Sequence, residues 1–339
     1  MSVDRTCIIA ELSGNHKGDI NRAKQIIKAA QEAGADAVKL QTYTADTITL
    51  DCDNEYFQIT QGTIWDGRTL YKLYEEAFTP WQWHEELMDY AKSLGLICFS
   101  SPFDLTAVDF LETLNVPIYK IASFEINDIQ LIEYIAAKGK PIIMSTGVAT
   151  LDEIEEAIAA CKRMNNNDIT LLKCTSAYPT PYDQVNLRTI TDMAKRFNVK
   201  VGLSDHTLGS AVAVAAVALG ATVVEKHLTL DRSEGGVDAS FSMEPHEFKQ
   251  MVQDIRIIEQ ALGKETYELT QKQLDSCKFK RSLFVTKDIK AGEAFTSQNI
   301  RSVRPSDGLN TRHYNDVIGK IAKIDITKGT PLSWDLMNE

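Results

Sequence analysis

Polar residues of the kinds that do chemistry collect at the ends of short apolar runs. Glu11 ends the run Cys7–Glu11, Lys39 and Gln41 lie in Ala37–Gln41, and Ser100-Ser101 end the run that begins at Leu96. Lys120 and Ser123 come at the end of Ile118–Ala122, and Ser145-Thr146 at the end of Pro141–Ser145. The last three runs close on Lys173-Cys174-Thr175-Ser176, Ser204-Asp205-His206 and Glu225-Lys226-His227. Side chains alternate along a strand, so Lys39 shares a face with Gln41, Ser204 with His206, and Glu225 with His227. Two imidazoles at neighbouring strand ends suit a divalent metal, and two ligands alone leave positions open for water and substrate. Lys39 and Lys120, with serines and threonines nearby, suit a cradle for carboxylate or phosphate. Glu11, the one carboxylate of the first run, is a candidate acid/base group.

Each of these residues also has a plain structural reading. A strand-end serine such as Ser100 serves as a helix N-cap. A single core histidine is satisfied by hydrogen bonds, and a single strand-end lysine is a surface charge. A buried Lys120 or Lys173 is also what a Schiff-base aldolase would use. The six cysteines are scattered, with no CxxC pair, and read as small thiols in a reducing compartment rather than as a metal site or disulfide framework.

The elements that would position these groups follow a repeat. The eight candidate strands are Cys7–Glu11, Ala37–Gln41, Leu96–Ser100, Ile118–Ala122, Pro141–Ser145, Thr170–Thr175, Lys200–Ser204 and Thr222–His227. Helical periodicity lies between them: in 151–163, Leu151, Ile154, Ile158 and Cys161 share a face while Asp152, Glu155 and Glu156 face water. Thr150 and Glu153 make a capping box there, and Thr79-Pro80 is expected to start another helix. Gly34, Gly95 and Gly220 sit where helices should stop. Eight alternations with apolar strands predict an all-parallel sheet closed as a (β/α)8 TIM barrel, with chemistry at the C-terminal strand ends. A doubly wound open sheet is the alternative. It is disfavoured because Glu11-Leu12-Ser13-Gly14-Asn15-His16 is not a GxGxxG loop.

Two segments fall outside the repeat. Residues 42–78 form a long insertion, and loops of that length are functional or disordered. Past Gly263 the character changes to short β-like runs, Val285–Lys287 and Leu332–Trp334, with Asp288-Ile289-Lys290-Ala291-Gly292 echoed by Asp325-Ile326-Thr327-Lys328-Gly329. The expected division is a barrel at 1–265, a linker at 266–280 and a small β-rich domain at 281–339. With 36 basic and 47 acidic residues the net charge is −11, which argues against wrapping nucleic acid or binding an anionic membrane. The opening Met1-Ser2-Val3-Asp4-Arg5 has no basic n-region and no apolar run spans a bilayer, so a cytoplasmic protein is expected.

Taken in order, the motifs resemble the sialic acid synthase family. They are Ala10-Glu11-Leu12-Ser13-Gly14-Asn15-His16, Lys39-Leu40-Gln41-Thr42, Tyr119-Lys120-Ile121-Ala122-Ser123, Ser145-Thr146-Gly147, Tyr178-Pro179-Thr180, Gly202-Leu203-Ser204-Asp205-His206 and Glu225-Lys226-His227. The tail around Val303-Arg304-Pro305 is similar to the family's antifreeze-like (SAF) domain. The resemblance implies a C–C bond-forming transferase that condenses phosphoenolpyruvate (PEP) with an acylamino sugar to a nonulosonic acid. It implies metal, Mn2+ or Mg2+, on His206 and His227, and PEP against Lys39, Ser101, Lys120, Ser123, Ser145, Ser176, Tyr178 and Ser204. Glu11, Gln41, Asp238 and Arg304 would meet the sugar, and Glu11 would handle a proton. Ser176 stands where neuraminate synthases commonly have asparagine. Within the family, Lys39-Leu40-Gln41-Thr42-Tyr43-Thr44, Gly62-Thr63-Ile64-Trp65-Asp66, Leu70-Tyr71-Lys72-Leu73-Tyr74 and Arg304-Pro305-Ser306-Asp307-Gly308-Leu309 are most similar to the pseudaminic acid branch. That branch takes 2,4-diacetamido-2,4,6-trideoxy-altropyranose; legionaminic and N-acetylneuraminic acid are the alternative products. Trp65, Tyr71 and Tyr74 are either substrate contacts or a packed aromatic stripe. The family further implies a domain-swapped homodimer with Arg304 acting on the partner's barrel.

Overall fold

The computed structural model describes residues 5–338; Met1–Asp4, which fall in the opening segment read as having no basic n-region, and Glu339 lie outside the described residues. The chain divides into two compact units, Met1–Gly263 and Lys264–Glu339. In the first, the strands are β1 (Cys7–Glu11), β2 (Ala37–Thr42), β3 (Ile97–Pro102), β4 (Tyr119–Ile121), β5 (Ile142–Ser145), β6 (Ile169–Cys174), β7 (Lys200–Asp205) and β8 (Val223–His227). All pair in parallel in chain order, and β8 closes on β1 from Cys7↔Val223 to Glu11↔His227. The expected barrel is the observed fold, and closure removes the open-sheet alternative.

The alternation of each strand builds two layers. Outward residues such as Ile8, Val38, Tyr119, Met144, Leu171, Leu203 and Val224 pack with the helices. Inward, Ile9, Ala37, Phe99, Ile143, Leu172 and Val223 form an apolar plug. One inward step further along the strands the plug gives way to Glu11, Lys39, Ser101, Ser145, Cys174 and Glu225. Gly202 completes the inward face of β7. A Cβ there would lie 2.4 Å from the Val223 carbonyl oxygen and 2.6 Å from Leu172, so only glycine fits.

The helix 151–163 forms as Leu151–Arg163 with the Thr150–Glu153 capping box. Two expected caps are corrected. Ser100 does not cap a helix: β3 runs on to Pro102, and the Ser100 hydroxyl lies 2.6 Å from Thr42 Oγ1 in the outward layer. Asp104 caps Leu105–Thr113 instead, accepting from Thr106 and Ala107 N–H. Thr79 is spent on His16, 3.1 Å from its Nε2, and Pro80 leads into a 3-10 turn, Trp81–Trp83, before the helix His84–Ser93.

The 42–78 insertion is ordered. Its helices Ala45–Ile48 and Leu70–Ala77 are held because Ile59, Leu73 and Ala77 bury against Val237, with Trp65 and Leu70 beside them. Cysteines 7, 52, 98, 161, 174 and 277 are free thiols. Among the described residues no helix is long and apolar enough to cross a membrane.

In the second unit, β9 (Ser282–Val285) pairs antiparallel with β10 (Ile300–Val303) over a core of Leu283, Val285, Ile289, Phe295, Ile300, Val317, Ile326 and Leu332. The stretch expected as a linker contains a helix, Gln271–Ser276, capped by Thr270. The two echoed pentapeptides pair with each other through Ile289↔Ile326. Asp288 accepts from Lys328 N–H at 2.7 Å and Asp325 from Ala291 N–H at 2.9 Å, so each copy caps the other.

Candidate active site

Four charged side chains meet inside the barrel mouth because they hold inward positions on β1, β2, β4 and β8. Lys39 Nζ contacts Glu11 Oε2, lies 3.3 Å from Ser101 Oγ and reaches Glu225 at 3.9 Å. Lys120 Nζ donates to both Glu225 oxygens, at 2.8 and 3.0 Å, and Ser204 Oγ donates to Glu225 Oε1 at 3.0 Å. All four groups are buried, and the charges sum to zero. Burial would raise the Glu225 carboxyl, but Lys120 and Lys39 outweigh it and hold it at about 2. Burial pulls Lys120 below the ordinary lysine range, yet the pair stays ionised because Glu225 answers to two ammonium groups. Glu11 goes the other way: burial and the nearby Glu225 raise it further than Lys39 and Lys120 lower it. Glu11 is therefore the acid of the four that most readily takes a proton.

Beside the lysines lies a set of unspent donors. Ser145 Oγ and Ser176 Oγ are buried without a partner. Gly147 N–H donates to Ser123 Oγ at 3.1 Å. A Cβ on Gly147 would fall 2.2 Å from Ser176 Oγ, 2.7 Å from Ser123 Oγ and 2.9 Å from Cys174 Sγ. The convergence therefore exists only with glycine at that position. Buried hydroxyls without partners are costly, and an anion is the group that would satisfy them.

The two histidines stand next to this cradle with ring centroids 5.3 Å apart. His206 Nδ1 faces the Thr175 carbonyl at 3.3 Å, which favours a proton on that nitrogen and directs Nε2 away from it. Burial disfavours its charged form, but Cys174, that carbonyl and Asp205 outweigh burial and raise it above the ordinary histidine value. His227 Nδ1 is buried with no partner. Burial, with His206 and three lysines nearby, drives His227 well below its ordinary value, so it is a neutral imidazole. Tyr178 packs on His206 at 4.6 Å, and Phe241 lies 5.0 Å from His227. No third His, Cys, Asp or Glu joins them among the described residues. Two neighbouring imidazoles, one of them with an orphaned nitrogen, fit a divalent ion whose other positions go to water and substrate.

A third wall comes from the β1 and β8 loops and the insertion. Ser13 is in the left-handed region at φ 44°, a strained conformation for a serine. That places its N–H 3.0 Å from Glu11 Oε1 and its hydroxyl on Asp238. Asn15 ties the two loops by donating to the Leu228 carbonyl at 3.0 Å and Ser242 Oγ at 2.9 Å. Trp65 Nε1 donates to the Val237 carbonyl at 2.9 Å, and its ring lies 5.4 Å from Tyr178. Gln41 is half-buried opposite Ser101. A cavity of about 340 Å3, lined by Gly14, Lys17, Gly18, Glu76, Gly236 and Val237, adjoins Asp238.

The structure thus gathers Glu11, Lys39, Ser101, Lys120, Ser123, Ser145, Ser176, Tyr178, Ser204, His206, His227 and Asp238 at one end of the barrel. Arg304 lies in the second unit, exposed just beyond β10. Tyr71 is not in this group; its hydroxyl is spent on Asp46 at 3.1 Å, and Tyr74 packs on Tyr43. Lys173 turns to the opposite face of β6 from Cys174 and donates to the Cys174 carbonyl, so it is no Schiff-base lysine. Lys120, ionised against Glu225, is not a free amine either.

Three groups escaped the sequence reading. Glu225 was visible on the face of His227, but nothing marked it as the partner of both lysines. Glu125 follows β4 in a short 3-10 turn, has a buried Oε2 without a partner, and is pushed by burial to about 7. Cys174 lies 3.8 Å from His206 Nδ1; burial would raise its thiol, but His206, Ser123 and Lys120 bring it to about 7.

Residues 26–267 match the NeuB family and residues 280–336 the SAF domain. The chain is 49% identical over 329 residues to the pseudaminic acid synthase of Helicobacter pylori, covering 97% of this chain and 96% of that protein. It is 48% identical over 325 residues to the pseudaminic acid synthase of Campylobacter jejuni serotype O:23/36, covering 96% and 94%. Among solved structures, the N-acetylneuraminic acid synthetase of Leptospira borgpetersenii, in complex with citrate, superposes with a TM-score of 0.71 at 31% identity, covering 81% and 90%.

Proposed function

The chain belongs to the NeuB family, and on that footing we propose that it is a pseudaminic acid synthase. It condenses PEP with 2,4-diacetamido-2,4,6-trideoxy-altropyranose to give pseudaminic acid and phosphate. The observation that carries the reading is the juxtaposition of a buried two-lysine, three-serine anion cradle with a pair of buried imidazoles. A PEP-dependent aldol-type condensation needs both at once.

In this reading Lys39 and Lys120 take the phosphate and carboxylate of PEP, with Ser101, Ser123, Ser145, Ser176, Tyr178 and Ser204 supplying hydrogen bonds. A divalent ion on His206 and His227, Mn2+ or Mg2+, would supply Lewis-acid polarisation of the open-chain sugar's aldehyde. PEP carbon-3 attacks that carbonyl carbon, and carbon-2 becomes an oxocarbenium-like centre. Water adds to carbon-2, and the carbon–oxygen bond to phosphate breaks. Glu125, poised near neutrality with an unpaired oxygen, is better suited than Glu11 to exchange the proton of that water. Glu11 is held by Lys39 and the Ser13 N–H. Its raised acidity range lets it give up charge as a polyanion settles on Lys39. Glu11, Gln41 and Asp238 orient the sugar, with Trp65 and Tyr178 as its aromatic wall.

The same reading takes 281–339 as the SAF domain, with Arg304 gripping an acylamino carbonyl of the sugar in the partner subunit of a domain-swapped homodimer. It also makes the enzyme cytoplasmic, in keeping with six free thiols.

The test is phosphate release from PEP with candidate sugars side by side. The 6-deoxy diacetamido altrose should give the highest kcat/KM; a higher value for N-acetylmannosamine would reassign the enzyme as a neuraminate synthase. Dialysis against chelator should silence it and Mn2+ should revive it. Full turnover in metal-free buffer would remove the two histidines from the proposed role.

A further inference from the structure

We propose that the buried Asp205–Lys226 ion pair is a positioning device that fixes the spacing of His206 and His227. The inference rests on the reading of those histidines as the metal ligands. The two residues sit one position before each histidine and face each other as the last rung between β7 and β8. By alternation they point outward, into the layer where Val201, Leu203, Val224 and Leu228 pack with helices. Their side chains are 1% and 0% exposed.

Packing alone gives no reason for charge there, because apolar residues of similar volume serve a buried position as well or better. What the pair adds is direction. Lys226 Nζ donates to Asp205 Oδ2 at 2.6 Å and to the Thr207 carbonyl at 2.6 Å. Asp205 Oδ1 accepts from the Thr207 N–H at 2.9 Å. Asp205 and Thr207 flank His206, and Lys226 precedes His227, so three bonds clamp the backbone on both sides of one histidine to the residue beside the other.

The clamp sits where the ladder stops supplying order. β7 ends at Asp205, so His206 lies beyond the strand, while His227 is still within β8 and paired with Glu11. The backbone of His206 is otherwise held by its carbonyl accepting from Thr180 N–H at 3.0 Å. Without the ion pair, the backbone rung at Asp205↔Lys226 is the last directional link between β7 and β8 among these contacts, and none reaches past it to Thr207, on the far side of His206. An apolar pair would fill the space but leave that level free to shift.

The experiment compares Mn2+ titrations, followed by the electron paramagnetic resonance signal of the free ion, in four full-length proteins. These are wild type, Asp205→Leu/Lys226→Met, Asp205→Asn and His227→Ala, each checked for native fold by circular dichroism. The double variant should fold and bind inorganic phosphate as wild type does, but lose about tenfold or more in Mn2+ affinity, the scale of lost outer-shell support. Asp205→Asn keeps an acceptor for Thr207 N–H and weakens only the charged link, so it should fall between the two. It stands as the test if the double variant does not fold. Wild-type Mn2+ affinity in a folded double variant, or in Asp205→Asn if that alone folds, overturns the proposal when His227→Ala has lost binding. If His227→Ala binds Mn2+ as tightly as wild type, the metal assignment itself fails and this proposal goes with it.

Discussion

Replacing Lys120 with methionine separates what this lysine does for the fold from its proposed role toward the substrate. Its Nζ lies 2.8 and 3.0 Å from the two oxygens of Glu225, and both side chains are buried. Without the ammonium, Glu225 keeps only Ser204 at 3.0 Å and Lys39 at 3.9 Å. Removing one partner of a buried pair costs about 3–5 kcal/mol. At roughly 2–4 °C per kcal/mol for a unit of this size, the ligand-free protein should lose about 6–20 °C in Tm. The substrate effect is separate: a charge-assisted contact is worth about 1.5–3 kcal/mol, or roughly a ten- to hundredfold loss in PEP affinity. Lys120→Met/Glu225→Gln removes the stranded charge as well, so it should regain most of the lost Tm and none of the lost PEP affinity. Thermal unfolding without ligand and calorimetric titration with PEP read the two quantities independently. Recovery of PEP affinity in the double variant would make the lysine's role structural. Unchanged PEP binding in Lys120→Met would remove it from the cradle.

Glu125 is raised from 4.5 to about 7, so the folded state holds its proton more tightly than the unfolded chain does. Its contribution to stability is present below pH 4.5 and is lost as pH rises to about 7. Across that window the Tm of wild type should fall relative to Glu125→Gln, and a kcat/KM inflection near pH 7 should vanish in the variant; parallel Tm curves would refute the assignment. Trp65→Phe keeps an aromatic ring but loses the bond to the Val237 carbonyl, next to Asp238. A neutral hydrogen bond is worth about 1 kcal/mol, so KM for the sugar should rise about fivefold with KM for PEP unchanged; equal changes in both would make Trp65 a general packing residue. His206→Ala and Arg304→Ala should each be inactive, yet co-refolded heterodimers should regain measurable activity, because one of their sites combines an intact barrel with an intact cap. Verified heterodimers as inactive as the parents would show that Arg304 acts on its own chain.

The inward faces were legible because period two carries them without any knowledge of partners. Lys39 with Gln41, Ser204 with His206, and Glu225 with His227 follow from alternation alone, and the parallel closure of eight units puts them in one mouth. The failures have a common cause in what alternation omits. Ser100 reads as a cap from its place near a strand end, but β3 continues for two more residues and turns it onto Thr42. Thr79 reads as a cap from the Pro that follows, but His16, 63 positions earlier, claims its hydroxyl. Glu125 sits in a turn with no periodicity at all, so nothing local distinguished it from a solvated acid.

Pairing across the barrel is the harder loss, because it decides the charge of the site. Lys120 and Glu225 are 105 positions apart and meet only because β4 and β8 face each other inside the closed barrel. Read singly, Lys39 and Lys120 made the mouth an unopposed positive cradle. In the folded barrel they are neutralised by Glu11 and Glu225, which is what lets two ammonium groups stay buried before any ligand arrives. A polyanion entering that mouth must therefore re-partner charges rather than fill an open positive field. The two acids are unequal in this exchange. Glu225, held at about 2 by two lysines, keeps its charge and its grip on Lys120, whereas Glu11, raised by burial, can accept a proton and release Lys39. The asymmetry assigns the fixed half of the cradle to β4 and β8 and the adjustable half to β1 and β2. The adjustable half is also where the strained Ser13 ties Glu11 to Asp238, and so to the side of the mouth proposed for the sugar.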